Sequence, residues 1–151
     1  MVVIVTTINK SALIPFSAEK MYNLVADVDH YEEFLPWCGS SRVLSQTEDE
    51  VKGQIEISHT GMHKTFTTLN RMQKNKMIEI RLIDGPFKHL QGFWRFDALD
   101  ENGCKISLDL EFEFSNKLMS MAFGPVFSQI ANSMVDAFCK RAFDIYGQGA
   151  S

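Results

Sequence analysis

From Cys104 to Phe114 every second residue is apolar, in the order Cys104, Ile106, Leu108, Leu110, Phe112 and Phe114, with a polar side chain at each position between. A backbone with a period of two places all six on one side, so this stretch is a strand with one face buried and the other wet. The period then changes. Phe127, Ile130, Ala131, Met134, Phe138, Ala142 and Ile145 recur at helical spacing, predicting a helix that Asn116 caps and that runs to about Tyr146. Gly147 is suited to a left-handed C-terminal cap. Gly124-Pro125 is expected to kink or split this helix, because proline removes a backbone bond and crowds the preceding turn. A helix of that length with a wide apolar stripe needs a partner surface of similar extent.

Other segments supply that surface. Val51, Gly53, Ile55 and Ile57 alternate with polar residues, as do Ile78, Ile80 and Leu82, and then Trp94, Phe96 and Ala98. Turn signals at Thr60-Gly61, Gln73 to Lys76, Gly85-Pro86 and Asp100 to Gly103 divide the region into hairpins. About six strands in a meander are expected, preceded by a first strand over residues 3 to 14 that ends at Pro15. Ser17 then caps a short helix whose apolar stripe is Met21, Leu24, Val25 and Val28. That helix closes near Asp29, and a turn carrying Tyr31 and Phe34 leads to Pro36. The predicted class is α+β: a curved antiparallel sheet of about seven strands wrapped on a long C-terminal helix, with two small helices after the first strand. One domain is expected over residues 1–147, with 148–151 as a disordered tail.

The run Tyr31 to Cys38 puts Phe34, Leu35 and Trp37 on irregular backbone around a proline, which no helix can continue through. Apolar bulk on a loop either plugs a core or borders an apolar cavity. With a sheet and a long helix available to enclose a cavity, the loop is expected at its mouth. Twelve Phe and eight Met suit either a filled core or an adaptable interior.

Few residues suggest catalysis. His59 and His63 flank a turn without a nearby third ligand, which is too thin a set for a metal. Asp27, Asp29 and His30 sit where a helix end attracts such residues for backbone reasons. Cys38, in apolar surroundings, is expected to be a buried hydrophobe rather than a nucleophile. No nucleophile elbow, phosphate loop, zinc-protease or dinucleotide fingerprint is present. Cys104 and Cys139 complete an odd set of three thiols without a C-x-x-C pair, pointing to a reducing compartment. No apolar run is long enough to span a membrane, so the expected location is cytoplasmic, with peripheral contact at the inner membrane as its only membrane association.

The net charge of −4 argues against DNA binding by overall field. Charge is nevertheless segregated: from His63 to His89 six cations face two acids, and from Asp97 to Glu113 six acids face Lys105 alone. A basic hairpin carrying Lys64, Arg71, Lys74, Lys76 and Lys88 can dock on rRNA or anionic lipid, or can simply be a solvated sheet face.

Val28-Asp29-x-Tyr31-x-x-Phe34-Leu35-Pro36-Trp37-Cys38 resembles the signature of the START-like, polyketide cyclase/dehydrase and lipid-transport superfamily. More narrowly it resembles the branch containing coenzyme Q-binding proteins and bacterial ribosome-association toxins. The likeness continues through Gly85-Pro86-Phe87-x-x-Leu90-x-Gly92-x-Trp94-x-Phe96, Phe112-x-Phe114, and Met134-Val135-x-Ala137-Phe138-x-x-Arg141-Ala142-x-x-Ile145-Tyr146-Gly147. It implies a helix-grip fold with a cavity for apolar ligands such as quinone tails. For the bacterial members it also implies binding to the large ribosomal subunit and blocked association with the small one. The absence of an Arg-rich leader favours the bacterial kind.

Three functions follow in order of expectation. The first is non-enzymatic binding of an isoprenoid, ubiquinone-like lipid in support of respiration, with no other cofactor. Phe34, Leu35, Pro36, Trp37 and Phe87 would stand at the mouth, Trp94, Phe96, Phe112 and Phe114 on one wall, and Phe127, Ile130, Met134 and Phe138 on the other. The second is ribosome association through the basic hairpin on the large subunit, which can coexist with the first on one fold. An aromatase- or cyclase-like activity ranks last, since the inward positions are nearly all apolar.

Overall fold

The computed structural model describes residues 5–59 and 61–147. The expected tail at 148–151, the first two residues of the expected strand at 3–14, and Thr60 of the expected turn lie outside the described residues. Seven strands form one antiparallel sheet: β1 (Thr6–Ile14), β2 (Cys38–Gln46), β3 (Glu50–His59), β4 (Met62–Gln73), β5 (Met77–Asp84), β6 (Phe87–Asp100) and β7 (Gly103–Phe114). Their spatial order is β1-β7-β6-β5-β4-β3-β2. The chain therefore crosses once, from β1 at one edge to β2 at the other. It then returns hairpin by hairpin until β7 pairs with β1 along the whole of β1, from Thr6 opposite Phe112 to Ile14 opposite Cys104.

The crossing is made by α1 (Ala18–Ala26) and a 3₁₀ helix (Val28–Glu33). Ser17 caps α1, its Oγ accepting from the Lys20 N–H at 3.2 Å. Met21, Leu24 and Val25 are buried from that helix, as the stripe predicts. The C-terminal helix α2 (Lys117–Tyr146) is 30 residues long, about 45 Å at the standard rise. Asn116 caps it, Oδ1 accepting from the Met119 N–H at 2.7 Å.

The interior is the alternating face of the sheet against one face of α2. From Cys104 to Phe114 all six alternate residues are buried, Cys104, Ile106 and Phe112 completely. From α2, Phe123, Phe127, Ile130, Ala131, Val135, Phe138 and Ala142 are buried against them.

Three local expectations are corrected. Of the two outcomes expected at Gly124-Pro125, a kink or a split, the split does not occur: α2 is one helix through Pro125, its buried face anchored on both sides of the proline by Phe123 and Phe127. Gly147 is right-handed (φ −65°, ψ −33°), its N–H bonding to Phe143 O, so the helix ends without the left-handed cap. Phe87, expected at the mouth of the cavity, is instead buried at the first position of β6. Among the described residues positive φ falls instead at Gly61 (79°), Asn75 (63°) and Gly85 (156°), in the β3–β4, β4–β5 and β5–β6 turns.

Gly92 marks a close approach between strands. It pairs with Leu110, and a Cβ there would run into the Asp109 carbonyl oxygen and lie 2.9 Å from Leu110 Cα. Backbone cannot step aside as a side chain can, so Gly92→Ala is expected to lower unfolding free energy by about 1–3 kcal/mol. Phe112→Ala, which empties a fully buried position, is expected to cost about 3–5 kcal/mol. Urea unfolding monitored by circular dichroism measures both, and a change under about 0.5 kcal/mol at either position would contradict the packing described.

Candidate ligand cavity and surface cations

The sheet and α2 do not meet along their full contact. Between them lies an apolar cavity of about 90 Å³. Helix α2 contributes Phe127, Ile130, Ala131 and Met134; α1 and the 3₁₀ helix contribute Val25, Ala26, Val28 and Tyr31. The sheet supplies the opposite wall through alternate residues: Val51, Gly53, Ile55 and Ile57 of β3, Phe66, Thr68, Asn70 and Met72 of β4, Ile78 and Ile80 of β5, Leu90 and Trp94 of β6, and Leu108 and Leu110 of β7. Trp37 joins the lining from the loop before β2.

Of the residues expected at this site, Trp37, Trp94, Phe127, Ile130 and Met134 line the cavity. Phe34, Leu35, Pro36, Phe87, Phe96, Phe112, Phe114 and Phe138 do not. Five of these, Phe34, Phe87, Phe112, Phe114 and Phe138, pack in aromatic clusters beside the cavity rather than on its walls. Phe87 stacks on Phe114 with ring centroids 5.1 Å apart and meets Phe127 edge-on at 4.9 Å, while Phe112 meets Phe127 at 4.8 Å. In the second cluster Phe138 packs against Tyr31, Phe34 and Trp94 at 5.3, 5.4 and 5.3 Å. Phe96 lies apart, edge-on to Tyr22.

The proline loop thus both plugs the core and contributes to the lining. Leu35 is buried and Phe34 packs on the core beneath Arg141, whose guanidinium carbon is 4.8 Å from the ring centroid and whose Nη2 is 3.4 Å from Glu33 Oε1. Pro36 is exposed, and Trp37, half-buried, turns to the cavity. Cys38 is buried, its Sγ donates to Ser40 O at 3.3 Å, and burial raises its pKa, so it rests as a neutral thiol.

The sequence reading missed the β4 wall. Phe66, Thr68, Asn70 and Met72 share one face of β4, but two of the four are polar, so no run of apolar alternation announces them. Thr68 Oγ1 donates to Asn70 Oδ1 at 3.0 Å. This pair is the polar spot on a lining otherwise made of apolar side chains and Gly53, apart from the Tyr31 hydroxyl. That hydroxyl is engaged with the Val25 carbonyl, and burial pushes its pKa far up. None of these groups exchanges a proton near neutral pH, so the cavity offers shape, apolar contact and hydrogen bonds but no general acid or base.

The five expected cations are not one patch. Arg71, Lys74 and Lys76 lie at the β4–β5 end of the sheet, and Arg71 Nε is 3.5 Å from Glu50. Lys64 and Lys88 lie toward the opposite end, Lys88 Nζ being 3.8 Å from Glu113. Ten residues of extended strand separate Lys64 from Lys74, roughly 33 Å.

The remaining titratable candidates serve local structure. His30 Nδ1 lies 2.7 Å from Asp27 Oδ2 and Nε2 is 3.6 Å from Glu33, and the bond to Asp27 and its charge raise the imidazole pKa. Asp29 accepts from the Val43 N–H at 2.9 Å. His63 lies 3.8 Å from Glu56. Among the described residues no three of His, Cys, Asp and Glu gather as metal ligands, and no helix is long and apolar enough to cross a membrane.

Residues 14–139 match the family described as polyketide cyclase / dehydrase and lipid transport. The ribosome association toxin RatA of Vibrio cholerae is 48% identical over 141 residues, covering 93% of this chain and 98% of that protein. The mitochondrial coenzyme Q-binding protein COQ10 homolog B of Xenopus laevis is 31% identical over 144 residues, covering 93% of this chain and 59% of that one. Among solved structures, the Zhui aromatase/cyclase from Streptomyces superposes with a TM-score of 0.82 at 15% identity, covering 97% of this chain and 99% of that one, a likeness of fold alone. A seven-stranded curved sheet gripping a long C-terminal helix, with a family match across most of its length, places this chain in the polyketide cyclase/dehydrase and lipid-transport family, with the START-like helix-grip fold.

Proposed function

We propose that this protein binds the ribosome and hinders the joining of its subunits. The observation that carries this reading is the 48% identity, along nearly the full length of both chains, with a protein named a ribosome association toxin. The lining of the cavity supports binding rather than catalysis. The surface best suited to rRNA is the β4–β5 turn, where Asn75 in the left-handed region presents Lys74 and Lys76 to solvent. Neither lysine is in an ion pair among the described residues. Glu19, Asp97, Asp100 and Glu101 share the neighbouring groove, so the contact is local and sensitive to salt rather than driven by an overall field.

Purified protein added to separated ribosomal subunits is expected to reduce the 70S peak in a sucrose gradient. Lys74→Glu combined with Lys76→Glu should restore most of that peak, with an effect that shrinks as salt is raised. An unchanged 70S peak with the wild-type protein would sink the reading; full activity of the double variant would move the contact away from this turn.

The cavity supports a second reading, binding of an isoprenoid or other apolar chain. An aliphatic cavity of about 150 Å³ holds a molecule the size of benzene. At about 90 Å³ the space accommodates a few carbons, so a longer chain enters only if the wall moves. Phe66, Met72 and Met134 are half-buried at the lining, and methionine adapts readily. Each methylene that enters contributes about 0.8 kcal/mol. Both tryptophans of the chain, Trp37 and Trp94, line the space and report on its contents.

Titration with a short-tailed ubiquinone should therefore change tryptophan emission saturably. Ala131→Leu, which adds three carbons at a buried lining position, should weaken that response about tenfold or more, equivalent to about 1.4 kcal/mol. A response equal in wild type and variant would place the quinone elsewhere.

A further inference from the structure

Asn70 lies within β4, paired with Val51 of β3 on one side and Ile80 of β5 on the other. Asparagine is depleted from strands. Its usual services to a chain, capping a helix or closing a turn on neighbouring backbone, have no place in a strand that is hydrogen-bonded along both edges. Thr68, two residues earlier on the same face, is buried, and Asn70 is half-buried; both line the cavity. A polar pair on the inward face of a sheet is costly unless its hydrogen bonds are met.

The bond between the two meets only part of that need. Thr68 Oγ1 donates to Asn70 Oδ1 at 3.0 Å. The amide also has two N–H donors, and among the described residues no side-chain hydrogen bond uses them. Neighbouring strands bring no polar partner. Opposite Thr68 stands Gly53, which has no side chain, and a Cβ built there would meet Val28, an apolar residue, at 3.5 Å. The cross-strand neighbours of Asn70, Val51 and Ile80, are apolar as well.

Charge narrows the choice of partner. No residue of the lining is charged, so a carboxylate or phosphate carried into the cavity would be a buried ion without a counter-ion, which is strongly disfavoured. A plain hydrocarbon would leave the amide donors unpaired. What fits is an uncharged oxygen that accepts.

We propose that Asn70 is the specificity-determining residue of this cavity, its amide N–H donating to a neutral oxygen acceptor, a carbonyl or an ether, on an otherwise apolar guest. Thr68 is the positioning residue: by donating to Oδ1 it fixes which edge of the amide is left for the guest. The assignment rests on the reading of the cavity as a binding site and is independent of ribosome association. It makes the cavity selective for the polar group of a guest, while the apolar walls read little of the remainder beyond its volume.

Small probes suit a space of about 90 Å³. Cyclopentane, cyclopentanone and butanoate are titrated into the protein while the methyl NMR signals of Met72 and Met134, both in the lining, are followed. The two cyclic compounds should shift these signals saturably and butanoate should not. Asn70→Val, which suits a strand, should weaken cyclopentanone about tenfold or more, because its carbonyl then enters unpaired, and should leave cyclopentane within about threefold of the wild type. Thr68→Val keeps the shape of the side chain and should weaken cyclopentanone about threefold, again without loss of cyclopentane. Retained cyclopentane binding shows that the variants are folded. If no probe shifts the methionine signals in the wild type, the cavity is not a binding site and the reading beneath the assignment fails with it. If cyclopentane binds but Asn70→Val changes both cyclic probes alike, or butanoate binds as well as the ketone, the cavity reading stands and the role of Asn70 is overturned.

Discussion

Phe127 is the contact on which the arrangement of helix and sheet depends. Its ring meets Phe87 of β6, Phe112 of β7 and Phe123 of α2 within 6 Å, and touches Phe114 and Phe66 only slightly farther out. Most of these meetings are edge-to-face, the arrangement that the aromatic quadrupole favours. Because the cluster joins two neighbouring strands to one turn of α2, it fixes both the position of the helix across the sheet and its rotation about its own axis. Pro125 sits within this clamp, so the lost backbone bond is compensated by packing on either side.

A second aromatic clamp holds the helix three turns later, where Phe138 meets Tyr31, Phe34 and Trp94. Arg141 reinforces it by lying over Phe34 and reaching Glu33. Between the clamps α2 presents Ile130, Ala131 and Met134, side chains too small or too pliable to span the gap to β3, β4 and β5. The cavity is therefore a consequence of spacing: two rigid aromatic contacts hold the helix off the sheet, and the residues between them do not fill what is left. The Phe34 to Trp37 loop belongs to both features, since Phe34 is part of the second clamp and Trp37 borders the space beside it.

The parts of this design differ in how plainly they are written in the chain. Strand β7 and helix α2 were legible because their apolar residues repeat strictly, and the order of hairpins followed from turn residues at Gly85-Pro86 and Asp100 to Gly103. The clamps were not legible. An apolar side chain facing the interior looks the same in sequence whether it fills space or borders it, and that is why Phe87, Phe112, Phe114 and Phe138 read as cavity wall. Thr68 and Asn70 escaped notice for the converse reason, since polar residues on an inward face interrupt the alternation that reveals such a face. The cations misled because adjacency in a hairpin is adjacency only near its turn: Lys64 lies near the start of β4 and Lys74 just past its end.

The two clamps also determine which part of the molecule can admit a guest. Helix α2 packs on β1, β7 and α1 and is pinned to β6 and β7 by aromatic rings, so neither it nor that half of the sheet can yield without separating several buried phenylalanines. The wall formed by β3, β4 and β5 is different. Of its cavity-facing residues, Ile55, Phe66, Asn70, Met72 and Ile80 are only half-buried, while Val51, Ile57, Thr68 and Ile78 are buried, and the Phe66–Phe127 ring contact joins it to α2. The half-buried residues of this wall stand beside Thr68 and Asn70, whose hydrogen bond is the polar pair of the lining.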